Sequence, residues 1–406
     1  MATDPWHTQT WFTSPWNHLS GVRDGIHLPT HVQIHDVTLR DGEQQAGVVM
    51  TAEDKVRIAE ALAEAGVHRI EAGLPAVSRE DEAAVRAIVK RNLPAKIYAF
   101  SRCIVDDVRR AVDCGVDGVV MEIPSSRHLI ELGYRWTVER AVASSVEATR
   151  FAHEQGLKVS FFPIDATRAS REEYLELVGA VAREGHVDAL GLVDTFGVLT
   201  PHAVDEFVRT SRDHLNVPLE THFHMDFGLG VANSLLAVAA GAQTIQTTVS
   251  GIGERAGNTP LEETVLALLT LYNIDLGIDT TRLTGLARLV ADITGIEQPP
   301  NRAVTGTRLF QVESGIIASW VRNVRDTDIT EAFPYSPGLV GQPPVEVVLG
   351  KGSGIDSVWD ALERLGVSAT QVEAEDILQR LKARSLETKS LVSVDDFGDI
   401  ASAALQ

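Results

Sequence analysis

The feature that most restricts what this chain can fold into is a repeat. Eight short runs of β-branched and apolar residues, at 32–36, 69–72, 96–100, 118–122, 158–162, 189–193, 219–224 and 244–249, alternate with segments of helical period. Their spacing of roughly 25–35 residues is the length of one strand–helix unit. After the first run, Thr51-Ala-Glu-Asp54 reads as a capping box leading into the apolar stripe Val56, Ile58, Ala59 and Leu62. Gly66, Gly115, Gly156, Gly185 and Gly241 each follow such a helix, where a cap with positive φ is expected. Eight parallel strands, each followed by a helix, predict an α/β chain of the (β/α)8 TIM-barrel class with its chemistry at the C-terminal ends of the strands. An open doubly wound sheet would leave the eighth unit without a place.

The rhythm stops after Ile274. A helix near 281–294 leads into Gln298-Pro-Pro-Asn301, followed by mixed segments at 310–320 and 345–349 and by helices from Asp356. Three parts are therefore expected: an arm at 1–30, a barrel at 31–275 and a smaller mixed C-terminal part at 276–406 that serves as a lid or for dimerisation. The arm carries Trp6, Trp11, Phe12 and Trp16 without a signal-peptide pattern, and is expected to pack on the barrel or on a second subunit. A net charge of -20 argues against nucleic acid or an anionic membrane as partner. A small anion remains open, since a local arginine cluster and a metal outweigh the global field. Cys103 and Cys114 make no disulfide framework, which fits a reducing cytoplasm. No run approaches the roughly 18 apolar residues of a membrane span.

The seventh run ends Thr221-His-Phe-His-Met-Asp226, and histidines at i and i+2 on a strand share one face. Such a pair alone is more often structural than metal-binding. The first run ends His35-Asp-Val-Thr-Leu-Arg-Asp-Gly-Glu-Gln44, which barrel closure brings beside the seventh. Asp41 with His222 and His224 then makes a partial shell suited to Zn²⁺, Mn²⁺ or Mg²⁺, with positions left open for a bidentate substrate. Arg40 could stabilise a developing oxyanion, although an Arg–Asp neighbour pair alone reads better as a surface ion pair. The loop Gly251-Ile-Gly-Glu-Arg-Ala-Gly-Asn258 is either a phosphate cradle, which Glu254 opposes, or a tight structural turn. Glu71, Gly73, Arg102, Ser125, Ser126, Asp165, Asp194 and Thr195 complete a polar rim, any one of which could instead be a loop cap.

Together these segments resemble the DRE-TIM metallolyases, and among them the homocitrate, isopropylmalate and citramalate synthases. The resemblance runs from about His35 past Gly354, and Leu349-Gly-Lys-Gly-Ser-Gly354 is most similar to the short homocitrate-synthase type. It implies that Asp41, His222 and His224 are metal ligands with Asn258 on or near the metal, and that Arg40 contacts the charged oxygen. It further implies that Thr195 contacts the substrate carboxylate and that Ser125 and Ser126 help select a 2-oxo acid, alongside Glu71 and Arg102. Acetyl-CoA is the implied co-substrate and a homodimer the implied assembly.

The chain departs from that pattern at three places. Ile164 stands where the resemblance expects a glutamate, Val312-Glu-Ser-Gly-Ile-Ile317 lacks both expected histidines, and Gly352 replaces a third. These groups would deprotonate the acetyl-CoA methyl and orient its thioester, contributions on the order of 10²-fold or more each. His128, Glu313 and Asp165 are the groups available to act as base, and Glu313 is taken as the catalytic candidate. Three readings stay open: a Claisen-type acyltransferase giving a 2-alkylmalate or homocitrate-like product, a CoA-independent aldolase, lyase or decarboxylase working through the enolate of a 2-oxo acid, and a non-catalytic barrel.

Overall fold

In this computed structural model, which describes residues 4–406, the eight expected strands form one closed parallel barrel in the order β1-β2-β3-β4-β5-β6-β7-β8. A short turn α1 (Ser20–Arg23) precedes the barrel. The first half alternates β1 (Gln33–Asp36), α2 (Ala52–Ala65), β2 (Arg69–Glu71), α3 (Arg79–Lys90), β3 (Lys96–Arg102), α4 (Val105–Cys114), β4 (Gly118–Pro124) and α5 (Val138–Glu154). The second half alternates β5 (Lys158–Ile164), α6 (Arg171–Glu184), β6 (Ala189–Asp194), α7 (Pro201–His214), β7 (Leu219–Phe223), α8 (Gly230–Ala239), β8 (Thr244–Thr247) and α9 (Leu261–Tyr272). Closure is made by β8 pairing with β1, which sets His35 opposite Gln246 and Asp36 opposite Thr247.

Local chemistry explains the element ends. Thr51 and Asp54 cap α2 reciprocally, as Ser170 and Glu173 do for α6. Gly66, Gly115, Gly156 and Gly241 take the expected positive φ, but Gly185 does not: its φ is -103°. That glycine is needed for space, because a Cβ there would lie 2.7 Å from Val181 O and closer still to Thr149 Oγ1 on α5.

Two cores follow from strand alternation. Outward residues such as Ile34, Ile70, Met121, Phe161 and Ile245 pack against the helices. Inward, Tyr98, Phe100, Val120, Phe162 and Val193 form a separate cluster joined by Leu74 and Ile164. The inward-facing set of one residue in two is what places side chains at the barrel mouth.

The chain divides into two compact units, one of Trp16–Gln298 and one of the residues up to Pro15 with Pro299–Gln406. The barrel unit thus extends beyond the expected limit at 275. The reason is α10 (Leu283–Thr294), whose Leu286, Ala287 and Val290 bury into the barrel core while Asp279 N–H donates to Ala65 O. The expected arm is divided as well. His27 N–H donates to Ala239 O in the barrel unit, whereas Phe12 N–H donates to Pro334 O and Thr10 O accepts from Ser336 N–H in the smaller unit.

The smaller unit holds α11 (Gly315–Val324), α12 (Ile355–Leu365), α13 (Gln371–Thr388), α14 (Val394–Ala404) and a parallel pair, β9 (Gln311–Val312) with β10 (Glu346–Val347). Val358, Leu362, Ile377, Leu381 and Phe397 form its core. Among the described residues no helix is long and apolar enough to cross a membrane.

Candidate active site

The turn after β1 builds one side of the site. Asp36 Oδ1 accepts Thr38 N–H at 2.9 Å, and Thr38 Oγ1 accepts Val249 N–H at 2.8 Å, tying the turn to the segment after β8. The N–H groups of Arg40, Asp41 and Gly42 all converge on Val37 O, so Arg40 and Asp41 are held at the mouth of the barrel.

On β7, alternation puts His222 on the inner face, with His224 just beyond the strand on the same face. Their Nε2 atoms are 3.0 Å apart, and Asp41 Oδ2 lies 3.5 Å and 3.7 Å from them. All three residues are buried. Burial alone would push Asp41 up, but Arg40 and the two imidazoles outweigh it and hold the carboxyl well below its usual range. Burial, then the neighbouring His222, lowers His224 to about 3, so it is a neutral imidazole at physiological pH. Gln246 Oε1 lies 2.9 Å from His222 Nδ1 and so accepts that N–H, leaving Nε2 its lone pair.

Whether these groups suit a cation can be tested from what they leave unsatisfied. His224 Nδ1 and Asn258 Oδ1 are buried without a hydrogen-bond partner, although Asn258 Nδ2 donates to Asp41 Oδ1 at 2.7 Å. One ligand atom from each of Asp41, His222 and His224 falls within 4.8 Å of the others. Two imidazole nitrogens, a carboxylate and a spare amide oxygen are donors of the kind divalent ions take. The donor set therefore fits a divalent ion.

Arg40 lies beside this cluster. Its Nε is bonded to Glu71 Oε1, Nη1 donates to Asp41 Oδ2 at 2.9 Å and to Gln44 Oε1 at 3.1 Å, and the guanidinium stacks 4.1 Å over the Phe100 ring. Nη2 is buried without a partner. A cavity of about 330 Å³, lined in part by Leu39, Arg40, Gln44, Val48, Leu74 and Val77, opens next to it. This leaves a fixed, unspent N–H donor beside the Asp41–His222–His224 cluster, of the kind that can bind an oxyanion.

The other rim residues are more committed. Arg102 folds back onto α4, donating to both oxygens of Asp107 at 2.7 and 3.0 Å. Ser125 Oγ donates to Ile164 O at 2.8 Å, and Ser126 Oγ to Asp165 Oδ2 at 2.5 Å. Thr195 Oγ1 accepts Asp165 N–H at 2.7 Å, which leaves its hydroxyl proton free to donate. His128 Nε2 lies 3.0 Å from Asp165 Oδ2. Glu313 belongs to the smaller unit, where its Oε1 accepts Gly352 N–H at 2.7 Å.

The glycine-rich loop is a tight turn. The N–H groups of Gly251, Gly257 and Asn258 go to Thr248 O, Glu254 O and Gly251 O, and those of Gly253 and Glu254 to Gln45 Oε1 and Asp41 Oδ1. With these amides spent on the chain itself, the loop positions Asn258 and has none of them left to cradle a phosphate.

Glu122, which no motif marks, also faces into the barrel. It lies on β4 two residues after Val120, hence on the inner face, and it accepts a hydrogen bond from Tyr134 Oη. Burial keeps its proton affinity above that of an ordinary glutamate, against the opposing pull of Tyr134, Arg40 and Arg102. Period-two alternation from Val120 was the signal that could have found it.

Residues 31–290 match the family model described as HMGL-like. A homocitrate synthase, AksA, of Methanopyrus kandleri is 43% identical over 366 residues, spanning 89% of this chain and 90% of that protein. Homocitrate synthase 1 of Nostoc sp. is 38% identical over 365 residues, spanning 90% and 95%. A protein named 2-isopropylmalate synthase 2 from Caldanaerobacter subterraneus is 37% identical, spanning 88% and 92%. Among solved structures, the HMG-CoA lyase of Bacillus subtilis superposes with a TM-score of 0.61 at 19% identity, covering 67% of this chain and 96% of that one. At that identity the lyase likeness speaks for the barrel fold only.

Proposed function

Because this chain belongs to the HMGL-like family, we propose that its barrel forms a carbon–carbon bond between the methyl carbon of acetyl-CoA and C2 of a 2-oxo acid, after which water hydrolyses the thioester to release CoA and a 2-alkylmalate or homocitrate-like product. The observation that carries this reading is the convergence of Asp41, His222 and His224 beside the unspent Nη2 of Arg40. A divalent cation held by Asp41, His222 and His224, with Asn258 alongside, supplies Lewis-acid polarisation of the 2-oxo acid when bound. Zn²⁺, Mn²⁺ and Mg²⁺ all suit that donor set.

The chain's own groups do the rest. Arg40 Nη2 donates to the ketone oxygen as it gains charge, and Glu71 and Phe100 hold the guanidinium in place for that task. The Thr195 hydroxyl donates to the substrate carboxylate. The CoA-independent alternative draws little support, since the relatives spanning about nine-tenths of the chain are named synthases.

The test is NMR-monitored incubation of metal-loaded protein with a panel of 2-oxo acids, with and without acetyl-CoA, beside the His224→Ala variant. CoA release matched to a new tertiary alcohol, and lost in the variant, is the expected result. Turnover of a 2-oxo acid that ignores acetyl-CoA would overturn the reading. Mass measurement in solution checks the expected homodimer.

A further inference from the structure

We propose that Glu122 is the general base that removes the α-proton of the acyl thioester, an assignment that rests on the condensation read above. Most carboxyls at the barrel mouth are already engaged. Asp41 is engaged by Arg40, Asn258 and the imidazoles. Glu71 is sealed from solvent and bonded to Arg40. Asp165 is held by Ser126, Arg168 and His128, and Asp194 accepts from Thr167 Oγ1 and the N–H groups of Val198 and Leu199. Glu254, on the loop after β8, is half exposed and paired with Arg255.

Glu122 differs from all of these. Only Oε1 is engaged, by the Tyr134 hydroxyl, and among the described residues Oε2 has no hydrogen-bond partner. The side chain faces inward between Arg102 and Phe162, its register partners on β3 and β5. It is buried but not sealed, at 8% exposure, and close enough to Arg40 for that charge to act on it. The apolar walls of Phe100, Val120 and Phe162 keep bulk water from levelling a base at this position. Ile164, the inward residue at the end of β5, offers nothing that takes a proton.

The step balances within the substrates named. The carboxylate of Glu122 takes a proton from the methyl carbon next to the thioester carbonyl, and the C–H electron pair becomes the enolate. The enolate carbon bonds to C2 of the 2-oxo acid, while the ketone π pair moves onto its oxygen, which faces Arg40 Nη2. Glu122 ends the step protonated, with Tyr134 donating to its Oε1 throughout.

The experiment follows deuterium entry into the acetyl-CoA methyl and CoA release in D2O for the metal-loaded parent, Glu122→Gln, Tyr134→Phe and His128→Gln, with metal titration and melting on the same preparations. Glu122→Gln should lower kcat by on the order of 10²–10⁴-fold and abolish deuterium entry, with metal affinity and the KM for the 2-oxo acid unchanged. Tyr134→Phe keeps the carboxyl but removes a hydrogen bond that favours its charged form, so the acid limb of kcat/KM should move to higher pH. The charged groups acting on that carboxyl are Arg40, Arg102 and Asp107. Should Glu122→Gln not fold, Tyr134→Phe decides the matter. The proposal is overturned if Glu122→Gln exchanges and turns over within about tenfold of the parent, if it raises KM alone, if the acid limb of Tyr134→Phe stays in place, or if exchange is lost in His128→Gln but kept in Glu122→Gln. A parent that shows no acetyl-CoA-dependent turnover at all overturns the condensation itself, and this assignment with it.

Discussion

Replacing Gly253 by alanine tests whether the loop after β8 exists to position the metal-type cluster. Gly253 has φ +151°, and a Cβ built there would lie 2.7 Å from Asp41 Oδ1 and closer still to Asn258 Nδ2. These two atoms form the hydrogen bond that fixes the carboxylate relative to His222 and His224. Relieving the overlap to a tolerable contact moves the Asp41 and Asn258 groups by roughly 0.5–1 Å. The strained φ adds about 1–3 kcal/mol in a backbone region that alanine avoids. Displacing an outer partner of a ligand typically weakens metal binding about 10–100-fold, so Gly253→Ala should bind Zn²⁺ or Mn²⁺ that much more weakly. Isothermal titration reads the affinity, and thermal melting of the metal-free protein reads the strain separately. A variant that binds metal within about threefold of the parent would refute the claim that this glycine guards the site.

Three further outcomes are expected. Burial raises Asp36 from 3.8 to about 7, so the native state holds a proton that the unfolded chain has lost, and stability falls as pH rises between those values. Asp36→Asn should remove up to about 4 kcal/mol of that slope in urea titrations at pH 4 and pH 8, and an unchanged slope would sink the reasoning. Gln246→Leu takes away the acceptor that orients His222, and should weaken metal binding by about 10–100-fold with little change in melting temperature; equal affinity would show that the tautomer is set elsewhere. Gly185→Ala, which overpacks α6 against α5, should cost about 1–3 kcal/mol in denaturant unfolding, and neutrality would show that the helices can part.

Much of the barrel was readable because each strand is a short apolar run closed by a capped helix, so local signals and the repeat agree. His222 and His224 were readable for a related reason: a two-residue period decides which face a side chain takes, and the ends of β1 and β7 are near neighbours once the barrel closes. The rest depended on contacts that no local pattern carries. Phe12 joins Pro334, more than three hundred positions away, and so the first residues fall in the smaller unit. The stripe on α10 looked like the start of a second domain because the core it enters was completed earlier in the chain. Arg102 reads as a rim residue open to substrate, and no local pattern shows that Asp107, five residues on, engages its Nε and Nη2. Glu122 sits in an apolar run where a lone acid looks like an edge residue; its two-residue step from Val120 sets it on the inner face, and what only the fold shows is its contact with Tyr134.

The same closure explains why a barrel with this much buried charge is tolerable. From Asp41 the contacts run to Arg40, then Glu71, then His35, which lies 3.9 Å from Glu71 on one side and 3.9 Å from Glu220 on the other. Glu220 accepts from Ser160 at 3.0 Å and pairs with Arg69, and Gln246 completes the circuit to His222. Burial would raise Glu220, but His35 and Arg69 outweigh it and bring it down to about 2. Each buried charge therefore has an opposite partner or a polar neighbour, and cutting the circuit at one of its charged residues, unlike at neutral Gln246, leaves the partner charge uncompensated in a low-dielectric interior. Asp41 and His222 are the two ends where this circuit meets the mouth. Their orientation is thus determined from beneath, by the barrel interior, as well as from above, by Asn258 and the glycine turn, which is why changes in either layer are expected to register as lost metal affinity.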